Sequence, residues 1–200
     1  MKEFTVLIAT IMVYGIYFYA GYDYIRAIKK ESSPAIGTWG LFAVGTLLGV
    51  LSAFVKGGSV DVMSNVLNVG DFLMCITILG FILAKHPAIS FDQFDRFFFL
   101  LAGTIVVFWA ISKDAAWANY FSQGLITLGY WPTIKKARKE RKKNEPYKSW
   151  ILFLTSATIA AYPAWMNENT LSLVYSVRTM LVIPTMLFLI HRYSKTAAAS

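Results

Sequence analysis

The chain has 200 residues, of which 56% are hydrophobic and 15% are charged. Soluble domains average about 45–50% apolar and about 25% charged residues, so this composition excludes an ordinary soluble domain. The 19 basic and 11 acidic residues leave a net charge of +8, but eight of the basic residues lie between positions 135 and 148. No soluble module or interleaved aromatic residues accompany them, so we expect no nucleic-acid partner.

Cysteine and histidine are too sparse to build a reactive or metal-binding centre. Cys75 is the single cysteine, and His86 and His191 lie far apart in the chain without the spacing of a zinc site. The sequence also lacks a Gly-rich phosphate loop, a His-Glu-x-x-His pair and a Gly-x-Ser-x-Gly turn. We therefore expect no metal, no cofactor, no catalytic residue and no enzymatic activity.

Seven segments are apolar enough to cross a bilayer, which takes about 20 residues and about 17 at the least. They are residues 4–22, 36–55, 60–84, 97–112, 116–134, 149–166 and 170–190. The opening Met1–Thr5 lacks the basic start and cleavage site of a signal peptide, so the first segment is expected to remain as a helix. The sequence predicts an all-α membrane protein with seven transmembrane helices.

The distribution of lysine and arginine predicts how these helices are oriented. The connections at residues 22–36, 85–96 and 134–149, together with the tail, hold 15 basic residues, whereas the other side of the membrane holds three. Because short basic loops stay in the cytoplasm, the N-terminus is expected outside and the C-terminus inside. We expect an integral protein of a prokaryotic plasma membrane, with anionic lipid headgroups as partners of the basic segment 135–148.

An internal repeat links the two halves of the chain. In each half a helix is followed by a basic turn, a proline and a Thr/Ser-Trp pair, in the same order. The motif residues are Tyr22, Pro34, Thr38 and Trp39 in the first half and Tyr130, Pro146, Ser149 and Trp150 in the second. Two parallel three-helix repeats joined by a linker helix, a 3+1+3 arrangement, account for this order.

These motifs resemble the PQ-loop superfamily, which includes the SWEET sugar transporters. The Pro-Gln pair itself is absent, because Tyr22-Asp23 and Pro132-Thr133 stand where it is expected. The resemblance implies a first triple-helix bundle at 1–84, a loop and linker helix at 85–115, a second bundle at 116–193 and a flexible tail at 194–200. It also implies a small-solute transporter that works by alternating access.

The third segment carries a polar stripe, because six polar residues fall within an arc of about 120° on a helix. They are Asp61, Ser64, Asn65, Asn68, Asp71 and Cys75. Polar side chains have no partners among lipid tails, so this stripe is expected to face protein or a solute cavity. Interhelical hydrogen bonding is the structural alternative.

The seventh segment carries Arg178, the basic residue placed well inside a span, and such residues usually face an aqueous cavity or an opposite charge. Counted from the outer ends of their segments, Asn68 and Arg178 are expected at the same depth. SWEET-like proteins use an asparagine on each of these helices, so the resemblance implies that Asn68 matches one position and Arg178 or Thr179 the other. Asp71 either pairs with Arg178 as a brace or acts separately as a proton-coupling site.

Four further residues complete the predicted substrate site, namely Tyr162, Trp165, Tyr175 and Gln123. The resulting hypothesis is a transporter of a small polar metabolite, with an anionic or zwitterionic solute favoured because a guanidinium prefers a carboxylate or phosphate, and with a sugar as the alternative solute. The alternative is a non-transporting seven-helix receptor or cargo-binding protein of PQ-loop fold. Turnover in liposomes separates the two.

Overall fold

The structure, a computed structural model of the chain, describes residues 2–30, 34–57, 63, 65–85, 93–140 and 145–196. These residues form seven α-helices, which confirms the all-α class and the number of helices. In chain order the helices are α1 (Lys2–Lys30), α2 (Ile36–Gly57), α3 (Val66–Lys85), α4 (Gln93–Ser112), α5 (Ala115–Glu140), α6 (Tyr147–Met166) and α7 (Thr170–Thr196).

Among the described helices, three are both long and apolar enough to cross a membrane. They are the helical stretches Lys2–Lys29, Val66–Lys85 and Thr170–Tyr193. Shorter apolar stretches lie within α2 and α4, at Ile36–Ser52 and Arg96–Ser112. The chain is therefore compatible with an integral membrane protein in which α1, α3 and α7 contain stretches long and apolar enough to span a bilayer.

Three helices, α1, α5 and α7, run well past the ends that hydropathy predicted, and α7 continues from residue 190 to Thr196. The first predicted segment stops at residue 22, but α1 continues to Lys30, and the fifth stops at residue 134, but α5 continues to Glu140. Gly21 and Gly129 therefore lie inside helices instead of ending them. The reason is that Lys, Arg, Ala and Glu are strong helix formers, so the backbone stays helical where the chain ceases to be apolar.

Several sequence predictions fall outside the described residues. They concern Asp61 and Ser64 of the polar stripe, residues 86–92 of the second basic connection, residues 141–144 of the basic segment and residues 197–200 of the tail. The helix α7 itself extends to Thr196 and so includes the first residues of the predicted tail.

The most extensive helix contacts form a pattern that is unchanged when α1, α2 and α3 are exchanged for α5, α6 and α7, whereas the small contact of α3 with α6 has no counterpart in the described part of the chain. The packing of α1 on α6 corresponds to that of α5 on α2, and these are the two most extensive contacts. The packing of α2 on α3 and of α1 on α3 corresponds to that of α6 on α7 and of α5 on α7. Among the described helices, α4 stands apart from this scheme because it contacts only α2 and α5.

The core has a large and a small part. The large cluster runs between α1, α2, α3, α5, α6 and α7, and it is rich in aromatic side chains. The small cluster of Leu41, Leu48, Phe98, Ala102 and Leu125 joins α4 to α2 and α5. The two ends of the bundle differ, and the end at which α1, α3, α5 and α7 finish is called the basic end here because it carries the lysines and arginines in the last turns of α1 and α5.

The close approach of α2 to α5 depends on Gly45, and this contact yields a stability prediction. A Cβ at Gly45 would lie 2.6 Å from Cγ1 of the buried Ile126 and 3.3 Å from the Ser122 carbonyl oxygen. We expect Gly45→Ala to lower the free energy of unfolding by about 1–3 kcal/mol, because overpacking forces side chains off their rotamers. The measurement is thermal unfolding followed by reaction of Cys75, which is 1% exposed, with a thiol-reactive fluorophore.

Gly124→Ala is the matched control, since a Cβ at Gly124 would meet nothing within 4 Å. Alanine is a better helix former by about 1 kcal/mol, so this variant is expected to be neutral or slightly more stable. Equal unfolding midpoints for the two variants would contradict the proposed close packing.

Candidate functional site

A buried hydrogen-bond group joins α1, α3 and α7 around Asp71. The hydroxyl groups of Tyr17 and Tyr175 each donate to one carboxylate oxygen of Asp71. Tyr17 and Tyr175 are fully buried, at 2% and 0% exposure, while Asp71 is partly exposed. Both oxygens of the Asp71 carboxylate thus accept hydrogen bonds from neutral hydroxyl groups, one on α1 and one on α7.

Arg178 lies next to this group and is only partly satisfied. Its Nη2 donates to Thr179 Oγ1 at 3.0 Å, and its guanidinium carbon lies 4.4 Å from the centre of the Tyr175 ring. Its Nε and Nη1 are buried and have no hydrogen-bond partner among the described residues. A delocalised cation with two unused donors therefore points into the interior of the bundle.

The arrangement bears directly on the two roles predicted for Asp71 and Arg178. The ion pairs between described residues do not join these two side chains within 4.0 Å. Asp71 is instead bonded to the two tyrosines, and Arg178 stacks on the ring of one of them. In this conformation the two side chains take separate partners and do not form an ion pair within 4.0 Å.

Asn65 closes the bundle at the end opposite the basic end. Its Oδ1 accepts a hydrogen bond from Ser172 Oγ at 2.9 Å and one from Asn169 Nδ2 at 3.5 Å. The bonds tie the start of α3 to the start of α7. The predicted equal depth of Asn68 and Arg178 does not hold in these helices, because Asn68 is the third residue of α3 and Arg178 the ninth of α7.

Asn68 and Gln123 form a second polar group, between α2, α3 and α5. A Cβ built on Gly49 would lie 3.4 Å from Asn68 Oδ1 and 3.7 Å from Ser122 Oγ, so side chains of α3 and α5 both reach the bare backbone of α2 at this glycine. Gln123 Nε2 donates to Asn119 Oδ1 and to Ser122 Oγ, each at 3.4 Å. Asn68 Oδ1 and Gln123 Oε1 are buried without a hydrogen-bond partner among the described residues.

A small cavity lies at the centre, where Asp71 and Thr179 meet the aromatic core. Its walls include Tyr17, Tyr130 and Trp150, and its volume is about 10 Å³. A cavity of that size holds about one water molecule. The conformation is therefore closed around the polar residues.

On the basic-end side of this cavity the two repeat tryptophans meet. The rings of Trp39 and Trp150 stack with their centres 6.0 Å apart and an interplanar angle of 28°. Tyr24 packs edge-on against both, and Phe42 and Tyr130 complete the cluster. Two residues 111 positions apart in the sequence are thus neighbours at the middle of the bundle.

Glu145, in the connection between α5 and α6, is buried beneath these rings at 6% exposure. Its Oε2 accepts hydrogen bonds from Tyr24 OH at 2.5 Å and from Trp150 Nε1 at 3.0 Å, and its Oε1 accepts one from Thr133 Oγ1 at 3.4 Å. Trp39 Nε1 in turn donates to Tyr24 OH at 3.0 Å. Burial raises the pKa of Glu145 above its ordinary range, although these donors and Lys136 act in the opposite direction.

The repeat motif makes equivalent hydrogen bonds in the two halves. Thr38 Oγ1 lies 2.9 Å from Thr133 Oγ1, and Ser149 Oγ donates to Asp23 Oδ2 at 2.9 Å. Thr38 and Ser149, which precede the two tryptophans, thus contact Thr133 and Asp23. Thr133 and Asp23 are the last residues of the two stretches that stand where the Pro-Gln pair was expected. Tyr22 is 62% exposed whereas Tyr130 is 4% exposed, so the two motif tyrosines lie in different surroundings.

Two of the predicted aromatic residues lie away from the central cavity. Trp165 is 68% exposed, because it falls 100° from Ala164 on a helix whose buried face includes Ala157, Ala160 and Ala164. Tyr162 is exposed and shares a hydrogen bond of 2.8 Å with Thr5 Oγ1. The outer halves of α6 and α7 therefore contribute Tyr175 to the site, but not Trp165.

Sequence reasoning missed Tyr17, Glu145 and Thr133. Tyr17 follows the buried face of α1 at the spacing Val13, Tyr17, Ala20 and Tyr24, a pattern that marks burial but not a partner. Glu145 sits beside Pro146 in a charged stretch, so it resembled the solvated residues around it. The contacts of both depend on helices that are distant in the sequence.

Comparison with known proteins identifies no relative of this chain. No protein-family model, curated protein or solved structure matches it. Within the described ranges, no group of three His, Cys, Asp or Glu side chains is placed to hold a metal ion. The chemistry of the site is therefore argued from its own residues.

The burial of Glu145 yields a prediction about pH. Its pKa is raised in the folded protein and is about 4.3 in an unfolded chain, so proton binding favours the folded state. This stabilisation is complete below the unfolded pKa and is lost as the pH rises through the folded pKa. We expect wild type to become less stable relative to Glu145→Gln between pH 5 and pH 8, as measured by thermal unfolding midpoints.

Two controls accompany this comparison. Glu145→Ala leaves Tyr24 OH and Trp150 Nε1 without their acceptor, and we expect a loss of about 1–3 kcal/mol at every pH. Glu3→Gln changes an exposed carboxylate and is expected to show no such trend. A constant difference between wild type and Glu145→Gln across the pH range contradicts the prediction.

Proposed function

We propose that the protein is a membrane transporter that moves a small polar metabolite, anionic or zwitterionic in preference to a sugar, by alternating access between two helical bundles. The observation that carries the proposal is the set of buried polar atoms of α3, α5 and α7 left without hydrogen-bond partners among the described residues, foremost the two nitrogens of Arg178. No covalent chemistry is assigned to these residues.

The dimensions of the helices support a seven-span membrane protein. Each of the seven described helices has 20 or more residues, and 20 residues of α-helix are about 30 Å long, which matches the hydrocarbon core of a bilayer. α5 has a less apolar sequence than α1, but it packs against α2, α4 and α7. With the basic residues in the cytoplasm, the N-terminus is outside.

The packing pattern supports the 3+1+3 arrangement. Exchanging α1, α2 and α3 for α5, α6 and α7 reproduces the main helix contacts, as expected of two parallel repeats, and α4 then acts as the linker. The stacked pair Trp39 and Trp150 lies where the two repeats meet. Movement of one bundle against the other would part these rings and open the central cavity.

The unsatisfied atoms support a polar solute as the ligand. Buried polar atoms are almost always hydrogen-bonded, because leaving one unpaired costs about 1–3 kcal/mol. Here Asn68 Oδ1, Gln123 Oε1 and two nitrogens of Arg178 lie unpaired in the same half of the bundle. A solute with both acceptors and donors would satisfy all of them when the bundle opens to admit it.

The charge balance supports an anionic or zwitterionic solute. Arg178 keeps its charge when buried, and its fork of donors matches a carboxylate or phosphate. Asp71 is already held by Tyr17 and Tyr175, so it does not neutralise Arg178 by direct contact. The Asp71 carboxylate is a group that can bind and release a proton, which suits a role in proton coupling.

The first experiment is a ligand screen by thermal stabilisation of the purified protein, with amino acids, carboxylates, phosphates and sugars, followed by uptake and exchange in proteoliposomes. We expect Arg178→Ala to lose at least tenfold in affinity for the anionic hit and Arg178→Lys to lose less, since lysine keeps the charge but not the fork. Asp71→Asn is expected to keep binding but to reduce the dependence of uptake on a pH gradient.

Arg26→Ala is the matched control, because Arg26 is exposed on α1 and lies outside the site. It is expected to bind and transport like wild type. Equal stabilisation of wild type and Arg178→Ala by glucose, with no effect of anions, would end the proposal of an anionic substrate. Binding without uptake or exchange would favour the receptor alternative.

A further inference from the structure

A second concave surface lies outside the polar site, on the flank of the bundle between α4, α5 and α7. Its volume is about 500 Å³, and its walls include Phe98, Leu128, Trp131 and Leu181. Among the described helices α4 contacts α5 but not α7, so the groove follows the face of α5 that these two helices leave between them. In a membrane this face meets lipid.

The two threonine hydroxyl groups in the groove are bonded within their own helices. Thr127 Oγ1 donates to the Gln123 carbonyl oxygen and Thr185 Oγ1 to the Leu181 carbonyl oxygen, each at 2.8 Å. Both threonines therefore offer methyl groups to whatever lies in the groove. A hydrocarbon chain fits such a wall, whereas a polar solute would find few partners there.

Charge marks one end of this groove. On α5, Thr127, Trp131 and Ile134 line it, and Arg138 follows at a spacing of 11 residues from Thr127, which returns to within about 20° of the same face. On α7, Arg192 stands in the same relation to Leu181. Arg138 and Arg192 are both exposed, so two guanidinium groups extend the two walls at the basic end.

We propose that this groove binds an anionic phospholipid, with one acyl chain against α5 and α7 and the phosphate at Arg138. The occupant is a phospholipid because the surface combines an apolar channel with arginine at one end, and guanidinium groups bind phosphate with paired donors. Each basic residue near a membrane surface attracts anionic headgroups. The proposal does not depend on the transport function, since Arg138, Trp131 and Thr185, on which its test is built, line neither the central cavity nor the Asp71 group, although Tyr130 borders both the groove and the cavity.

Trp131 provides the reporter, because it lines the groove and is 47% exposed. In mixed micelles, phosphatidylglycerol with brominated acyl chains is titrated against brominated phosphatidylcholine, and tryptophan fluorescence quenching is measured. The part of the quenching that disappears in Trp131→Phe belongs to this site. We expect that part to appear at a several-fold lower mole fraction of phosphatidylglycerol than of phosphatidylcholine.

The variants separate the two halves of the site. Arg138→Gln is expected to reduce the preference for phosphatidylglycerol by about fivefold, the effect of one charge near a lipid surface. Lys113→Gln, which changes an exposed cation at the opposite end, is the matched control and is expected to leave it unchanged. Thr185→Phe fills the groove, so it is expected to weaken quenching by both lipids.

Each alternative outcome overturns the assignment. Equal quenching of Trp131 by the two lipids in wild type shows that the groove does not distinguish between the two headgroups. An equal effect of Arg138→Gln and Lys113→Gln shows that the preference is a general property of the charged surface. Thermal unfolding midpoints, followed by the reaction of Cys75, verify that every variant is folded. Unchanged solute binding in Arg138→Gln keeps this test separate from the test of the transport function.

Discussion

The buried carboxylate of Glu145 is the interaction on which the closed bundle depends. It is bonded to Tyr24 of α1, Thr133 of α5 and Trp150 of α6, and Tyr24 brings in Trp39 of α2. A carboxylate taken out of water is costly unless its oxygens are hydrogen-bonded, so the group is stable only while all these helices are in place. Glu145, which lies between α5 and α6, therefore fixes the relative positions of α1, α2, α5 and α6.

The second buried carboxylate, Asp71, is held differently, and the difference separates the two ends of the bundle. Glu145 lies under stacked aromatic rings and is closed off from the interior. Asp71 is partly exposed, has two tyrosine donors and lies near a guanidinium with unused nitrogens. The first arrangement resists opening, and the second has unsatisfied groups that a ligand can complete. A closed end and a polar interior are the two parts that the proposed carrier needs.

The periodicity and hydropathy of the sequence were enough to predict the helices but not their ends or their contacts. Hydropathy marks where a chain is apolar, so it could not show that α1 and α5 continue through charged turns. The polar stripe of the third segment predicted Asn65, Asn68 and Asp71, and the position of Tyr175 along the seventh segment predicted that residue. Each of these signals can be found within the sequence of a single helix. Tyr17 and Glu145 were missed, since each acquires its role from a side chain more than 50 positions away.

The two halves make equivalent hydrogen bonds with residues of different charge. Thr38 meets the neutral Thr133, whereas Ser149 meets Asp23, which also lies 3.6 Å from Lys148. A hydroxyl group bonds to an alcohol or to a carboxylate with the same geometry, so the packing of the halves can be conserved while their electrostatics change. The two halves therefore correspond in their contacts more than in their residue types. The buried pair Trp39 and Trp150 is the clearest sign of this correspondence in the sequence.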